Sequence, residues 1–169
     1  MSKEFLSGER MVERLIRMLL EAKSHGRRVF ICGNGGSAAN AMHIANDWLS
    51  VGLPVQSLVS DIASLTAIAN DYSFAEIFSR QLRVHAASGD IVILLSGSGT
   101  SPNIVYAAAA AKELGTTVVV ITGAWAKPAP PILDTAHLAF RIGTDMQDAE
   151  GAQLFIGHTV YKILKEQSQ

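Results

Sequence analysis

Val29-Phe30-Ile31-Cys32-Gly33-Asn34-Gly35-Gly36-Ser37-Ala38-Ala39-Asn40 is an apolar run that breaks into glycines and then continues as a helix former. The chain does the same again at Ile91 to Leu95, which leads into Ser96-Gly97-Ser98-Gly99-Thr100-Ser101 and a second helix-prone stretch. Short, wholly apolar runs read as strands buried on both faces. Glycines let the backbone turn tightly and bring its N–H groups close to a ligand. The following helix aims its unpaired amides and the positive end of its dipole at the same point. Such a junction suits a phosphate. Two of them, with hydroxyls at Ser37, Ser96, Ser98, Thr100 and Ser101 and no lysine, read as a neutral cradle for a phosphorylated small molecule.

Strand and helix signals alternate on either side of these loops. Glu9 to Lys23 is an amphipathic helix ended by His25-Gly26. Strands are expected at Val29 to Cys32, Val55 to Val59, Ile91 to Leu95, Thr117 to Thr122 and Ala136 to Ile142. Helices are expected at Ser37 to Leu49, Ile62 to Ala69, Phe74 to Ala87, Pro102 to Leu114 and Asp145 to Lys165, with a turn at Asn70-Asp71 and a loop at Lys127 to Pro131. This alternation predicts an α/β fold, a three-layer αβα sandwich around a doubly wound, five-stranded parallel sheet, with an added N-terminal helix. Ligands of such sheets sit outside the carboxyl ends of the strands, where both glycine loops fall.

With 169 residues, 49% of them hydrophobic and 17% charged, the chain can bury a core and cover a sheet on both faces. A net charge of −1 leaves no electrostatic footprint for nucleic acid or an anionic membrane. No apolar run approaches the ~18 to 20 residues of a membrane span, and Ser2-Lys3-Glu4 is not a secretory leader. A cytoplasmic protein is expected. The single cysteine, Cys32, excludes an internal disulfide and reads as core packing.

The first loop, as Gly33-x-Gly35-x-x-Ala38, also satisfies the dinucleotide pattern, with Asp61 available as the ribose-binding acid. That reading leaves the serines of the second loop idle and lacks a second mononucleotide half. A P-loop is excluded, because no G-x-x-x-x-G-K-[ST] occurs. Two plain strand-to-helix turns remain the bland alternative, although a turn needs a glycine and not a cluster of serines.

Four stretches carry a resemblance: Gly33 to His43 (GNGGSAANAMH), Leu65 to Asp71 (LTAIAND), Ile77 to Arg80 (IFSR) and Gly89 to Gly99 (GDIVILLSGSG). Together they resemble the sugar isomerase (SIS) domain family, and within it the branch that isomerises sedoheptulose 7-phosphate, over most of the chain from Arg28 to Leu164. The resemblance implies one domain over residues 1–169, with an N-terminal helix at about 5–25 and an α/β core at about 28–166. It implies a sugar-phosphate substrate, no nucleotide cofactor, a candidate zinc ion and a homotetramer.

Carried over by position, the resemblance assigns phosphate and substrate binding to Asn34, Gly35, Gly36, Ser37, Asp71, Ser96, Gly97, Ser98, Ser101 and Glu150. Gly97 stands where these isomerases have a threonine, a lost donor worth about 1 kcal/mol if its hydrogen bond was typical. Asp71 with Asn70 also reads as a plain turn and cap. Asp47 and His158 fall on the acid–base positions, with aspartate in place of the glutamate of the family. Moving a proton between adjacent carbons through an enediol needs such a pair, one group taking and one giving. His43, Asp47, Glu150 and His158 fall on the zinc positions. His43 and Asp47, four apart, share a helix face. Glu150 and His158, eight apart, would stand ~12 Å from each other along a continuous helix, so either Glu150 points back from the helix start or two subunits share the site.

Two further positions depart from the family: Val51 replaces an arginine and Gln153 a histidine. A branch of the family is non-catalytic and acts as a phosphosugar-binding regulator or as an adaptor for the replication initiator. That branch lacks the acidic base and the final histidine, both of which are kept here. The expected function is therefore an aldose–ketose isomerase converting sedoheptulose 7-phosphate to a heptose 7-phosphate, with the regulator as the alternative.

Overall fold

Val29–Gly33 (β1) is buried along its whole length, as an apolar run without polar alternation requires. The computed structural model describes residues 8–126 and 130–167. β1 lies between Val55–Ser57 (β2) and Ile91–Ser96 (β3), followed by Thr117–Thr122 (β4) and Leu138–Arg141 (β5), in the order β2-β1-β3-β4-β5. Every neighbouring pair is parallel. The expected doubly wound, five-stranded sheet is the one observed.

One face is covered by Gly8–Ser24 (α1), Gly36–Ser50 (α2) and Met146–Gln167 (α6). The other carries Ser79–His85 (α4), Pro102–Glu113 (α5) and two short 3-10 helices, Phe74–Glu76 and Pro131–Thr135, while Ile62–Asp71 (α3) packs on the first of these. Of the N-terminal helix expected at about 5–25, residues 5–7 lie outside the described residues. α1 buries Leu15, Ile16, Leu19 and Ala22 as a single stripe. Trp48 anchors α2 to α6: its ring is buried and its indole N–H donates to the Gly157 carbonyl at 2.9 Å.

Several expected boundaries moved. α3 continues through Asn70-Asp71, so the turn comes at Tyr72-Ser73. The helix expected from Phe74 to Ala87 breaks between Glu76 and Ser79; the bend buries Ile77 and Phe78 and leaves Phe74 exposed. The edge strands β2 and β5 are shorter than their apolar runs because each has a partner on one side only. Of the loop expected at Lys127 to Pro131, residues 127–129 lie outside the described residues, and Pro131 opens a 3-10 helix that buries Ile132.

Candidate active site

In the order β2-β1-β3-β4-β5 the connection after β1 covers one face and that after β3 the other, so a crevice opens between their carboxyl ends. Gly33 at the end of β1 pairs in register with Leu95, one residue before the end of β3. The two glycine loops therefore stand side by side. Asn34 Nδ2 donates to Asn103 Oδ1 at 2.9 Å and Asn103 Nδ2 donates back to Asn34 Oδ1 at 2.7 Å. This closed amide pair ties the first loop to the start of α5. Asn103 escaped the sequence reading; its one signal is its place just after Pro102 in the first turn of that helix.

The helices behind the loops are uncapped. α3 is capped by Asp61, which accepts from the Ser64 N–H at 3.2 Å, and α6 by Asp145, which accepts from the Asp148 N–H at 2.8 Å. α2 begins after Gly35, with φ of 55°, and α5 after Ser101; neither has a side-chain cap. The N–H groups of Gly36 and Ser37 in α2 and of Asn103 in α5 have no hydrogen-bond acceptor among the described residues, whereas Ala38 N–H donates to the Gly35 carbonyl and Ile104 N–H to the Ser101 carbonyl, each at 3.0 Å. Ser37 is 3% exposed, and its hydroxyl has no hydrogen-bond partner among the described residues. In the second loop the Ser96 hydroxyl accepts from Gly99 N–H at 3.1 Å, and the Ser98 hydroxyl from Thr100 N–H at 3.3 Å. Asp71 is exposed at the end of α3 and accepts from Asn70.

α2 and α6 run parallel, in contact at steadily advancing positions. The Glu150 carboxylate lies directly on Gly36, where any side chain would collide with it. Asn40 Nδ2 donates to the Glu150 carbonyl at 2.9 Å and to Gln153 Oε1 at 3.1 Å. Farther on, Gly157 has no side chain to block Ile44. At this level His43, Asp47 and His158 converge. The Nε2 atoms of His43 and His158 are 2.9 Å apart, and Asp47 Oδ2 is 3.4 Å from the first and 3.6 Å from the second. All three remain partly exposed, Asp47 least.

Comparison with known proteins follows the same lines. A family model described as the SIS domain matches residues 6–123. The chain belongs to the SIS domain family. A phosphoheptose isomerase of Nitratidesulfovibrio vulgaris is 41% identical over 123 residues, 69% of this chain and 59% of that protein. One of Campylobacter concisus is 34% identical over 162 residues, 92% of this chain and 84% of that protein. A solved phosphoheptose isomerase of Neisseria gonorrhoeae superposes with a TM-score of 0.85 at 28% identity, covering 93% of this chain and 86% of that one. The chain thus spans about three fifths of the length of the first of these relatives and most of the others.

Within this SIS domain the expected metal set divides. His43, Asp47 and His158 can offer one ligand atom each to a common ion, whereas Glu150 points back to the start of α2. A tetrahedral ion with ligands at about 2.0–2.2 Å has donor–donor edges of about 3.3–3.6 Å. Asp47 stands at that spacing from both histidines, 3.4 and 3.6 Å, while the two Nε2 atoms, 2.9 Å apart, are closer than such an edge; with a small parting of the rings, two imidazoles and a carboxylate would hold such an ion. Asp61, the residue available to a bound ribose, is engaged as the cap of α3, and its hydrogen bonds from Ser64 hold its carboxyl below the ordinary range. No helix among the described residues is long and apolar enough to cross a membrane.

Proposed function

We propose that the protein is a phosphoheptose isomerase, interconverting sedoheptulose 7-phosphate and a heptose 7-phosphate within one domain spanning residues 1–169. The observation that carries this is the His43–Asp47–His158 cluster on two parallel helices, one of which, α2, opens uncapped at the glycine loops. The curated relatives named above support the same activity.

The open amides of α2 and α5, with Ser37, Ser96, Ser98 and Ser101, hold the phosphate. Asn34, Gly35, Gly36, Gly97 and Asp71 shape the space around the sugar. Glu150 accepts from sugar hydroxyls near the start of α2. Asp47 takes the proton from one carbon of the C1–C2 pair and returns it to the other. His158 moves the proton at the neighbouring oxygen, and His43 fixes its tautomer through the Nε2–Nε2 hydrogen bond. Zinc is the metal best matched to this N2O donor set; held by His43, Asp47 and His158 in place of the Nε2–Nε2 hydrogen bond, it would supply Lewis acidity at the carbonyl. No role falls to a nucleotide cofactor.

The working form is read as a cytoplasmic homotetramer. Met42, Leu49 and Phe155 expose apolar surface on the two helices that carry the cluster, which supports a covering copy of the chain there. Neither nucleic acid nor a membrane is a partner in this reading.

Incubation with sedoheptulose 7-phosphate in deuterated water tests the activity. Expected are deuterium in the sugar at C1 or C2 and an aldose product by NMR. Binding without exchange, in both metal-free and zinc-supplied protein, would sink the isomerase and leave a phosphosugar-binding regulator.

A further inference from the structure

The turn from Gly123 to Ala126 holds one side chain, that of Trp125, with unusual care. Ala126 N–H closes the turn on the Gly123 carbonyl at 3.3 Å. Arg141, the last residue of β5, donates to the carbonyls on either side of the tryptophan: Ala124 at 3.2 Å and Ala126 at 2.8 Å. The indole is laid over Gly123, where any side chain would collide with it, and reaches toward Gly97 of the second loop. A Cβ at Gly97 would stand 3.4 Å from Trp125 Cη2 and would run into Met146 Sδ. Gly123 N–H and the Thr122 hydroxyl both donate to the Gly97 carbonyl, at 3.0 and 3.3 Å, tying the ends of β3 and β4 together.

Despite this clamping, Trp125 is 36% and Met146 42% exposed. An indole and a thioether are thus fixed, partly in solvent, against the loop that carries Ser96, Ser98 and Ser101. Neither is suited to a phosphate: the face of an aromatic ring is electronegative and a thioether is a weak acceptor with no donor. Both are suited to C–H groups, and ligand sites commonly set a few polar anchors against an apolar wall.

We propose that Trp125 and Met146 form the apolar wall of the phosphosugar site, packing against the carbon chain next to the phosphate that the second loop holds. This rests on the phosphosugar reading above and adds its specificity element. The wall recognises the sugar and is indifferent to the phosphate alone.

The test uses the intact protein with two probes, sedoheptulose 7-phosphate and inorganic phosphate. The other tryptophan, Trp48, is 2% exposed, so acrylamide quenching of the native fluorescence reports Trp125. The sugar phosphate is expected to shield Trp125 from acrylamide and inorganic phosphate to leave it open. By titration calorimetry, Trp125→Ala is expected to weaken the sugar phosphate roughly tenfold and inorganic phosphate by less than about twofold, with Trp125→Phe restoring most of the loss. Sugar phosphate that binds the wild type while leaving Trp125 open to acrylamide, or a Trp125→Ala variant that weakens both probes alike, overturns the wall and leaves the isomerase reading intact. Wild-type protein that binds neither probe overturns both.

Discussion

The Nε2 atoms of His43 and His158 lie 2.9 Å apart although 115 residues separate them in the chain, and Asp47 closes the triangle. One imidazole must donate to the other, so in the metal-free state the pair shares a proton that Asp47 can help to hold. This arrangement makes the roles of the three residues separable.

Asp47→Asn removes the carboxylate and keeps the side chain's size. It is expected to lower kcat by a factor of about 10² to 10⁴ with little change in KM, the usual range for a lost general base. His158→Ala should fall in the same range. Steady-state kinetics with circular dichroism on each variant checks both; a Asp47→Asn enzyme of undiminished kcat would remove the carboxylate from the chemistry.

The metal reading has its own readout. Protein purified without chelator is expected to carry about one zinc per chain by elemental analysis, and His43→Ala to carry almost none. Because a ligand that binds only the folded state stabilises it, chelation should lower the melting temperature of the wild type and leave that of His43→Ala unchanged. Equal melting of the wild type with and without chelator would argue against a bound ion.

Asn103→Ala breaks the reciprocal amide pair and strands the Asn34 side chain between the two loops. An unpaired, part-buried amide costs up to about 1–3 kcal/mol, and each kcal/mol lowers the melting temperature of a chain this long by about 2–4 °C. Differential scanning calorimetry should show that drop, together with weaker binding of inorganic phosphate as the loops lose their tie. Unchanged phosphate binding would mean that the loops are held apart from this pair.

Cys32 supplies a pH dependence with a definite sign. Burial pushes its thiol well above the ordinary range, because the thiolate would be stripped of water. In the unfolded chain the thiol loses its proton near pH ~8.5. Above that pH the unfolded state binds fewer protons than the folded one, so this contribution is complete below pH ~8.5 and falls by about 1.4 kcal/mol per unit above it. Urea unfolding between pH 8 and 10 should show that slope, and Cys32→Ala should flatten it whatever its effect on absolute stability. Native protein should also resist thiol reagents until it unfolds.

Much of this molecule was readable residue by residue. The apolar runs at Val29, Ile91 and Thr117, their glycine-rich endings and the proline opening α5 are local features, and local backbone preference together with burial on both faces sufficed to place the sheet's central strands. His43 and Asp47 were legible as a pair for the same reason, because helical spacing alone puts them on one face. The failures have a common cause. The break after Glu76 and the shortened edge strands depend on what packs against them, which local spacing does not carry; the same packing selects the backward aim of Glu150 from the two alternatives that the sequence left open.

The alternation of strand, glycine turn and helix was determined by the order of residues, since glycine content and apolar periodicity act within a few positions of chain. Parallel packing of α2 on α6, with Gly36 under Glu150 and Gly157 beside Ile44, was decided only in three dimensions. So was the junction of Asn34 with Asn103, and of Trp125 with Gly97. These contacts join segments far apart in the chain, and their closeness comes from the order in which the strands lie and from how near two backbones can come where side chains are missing.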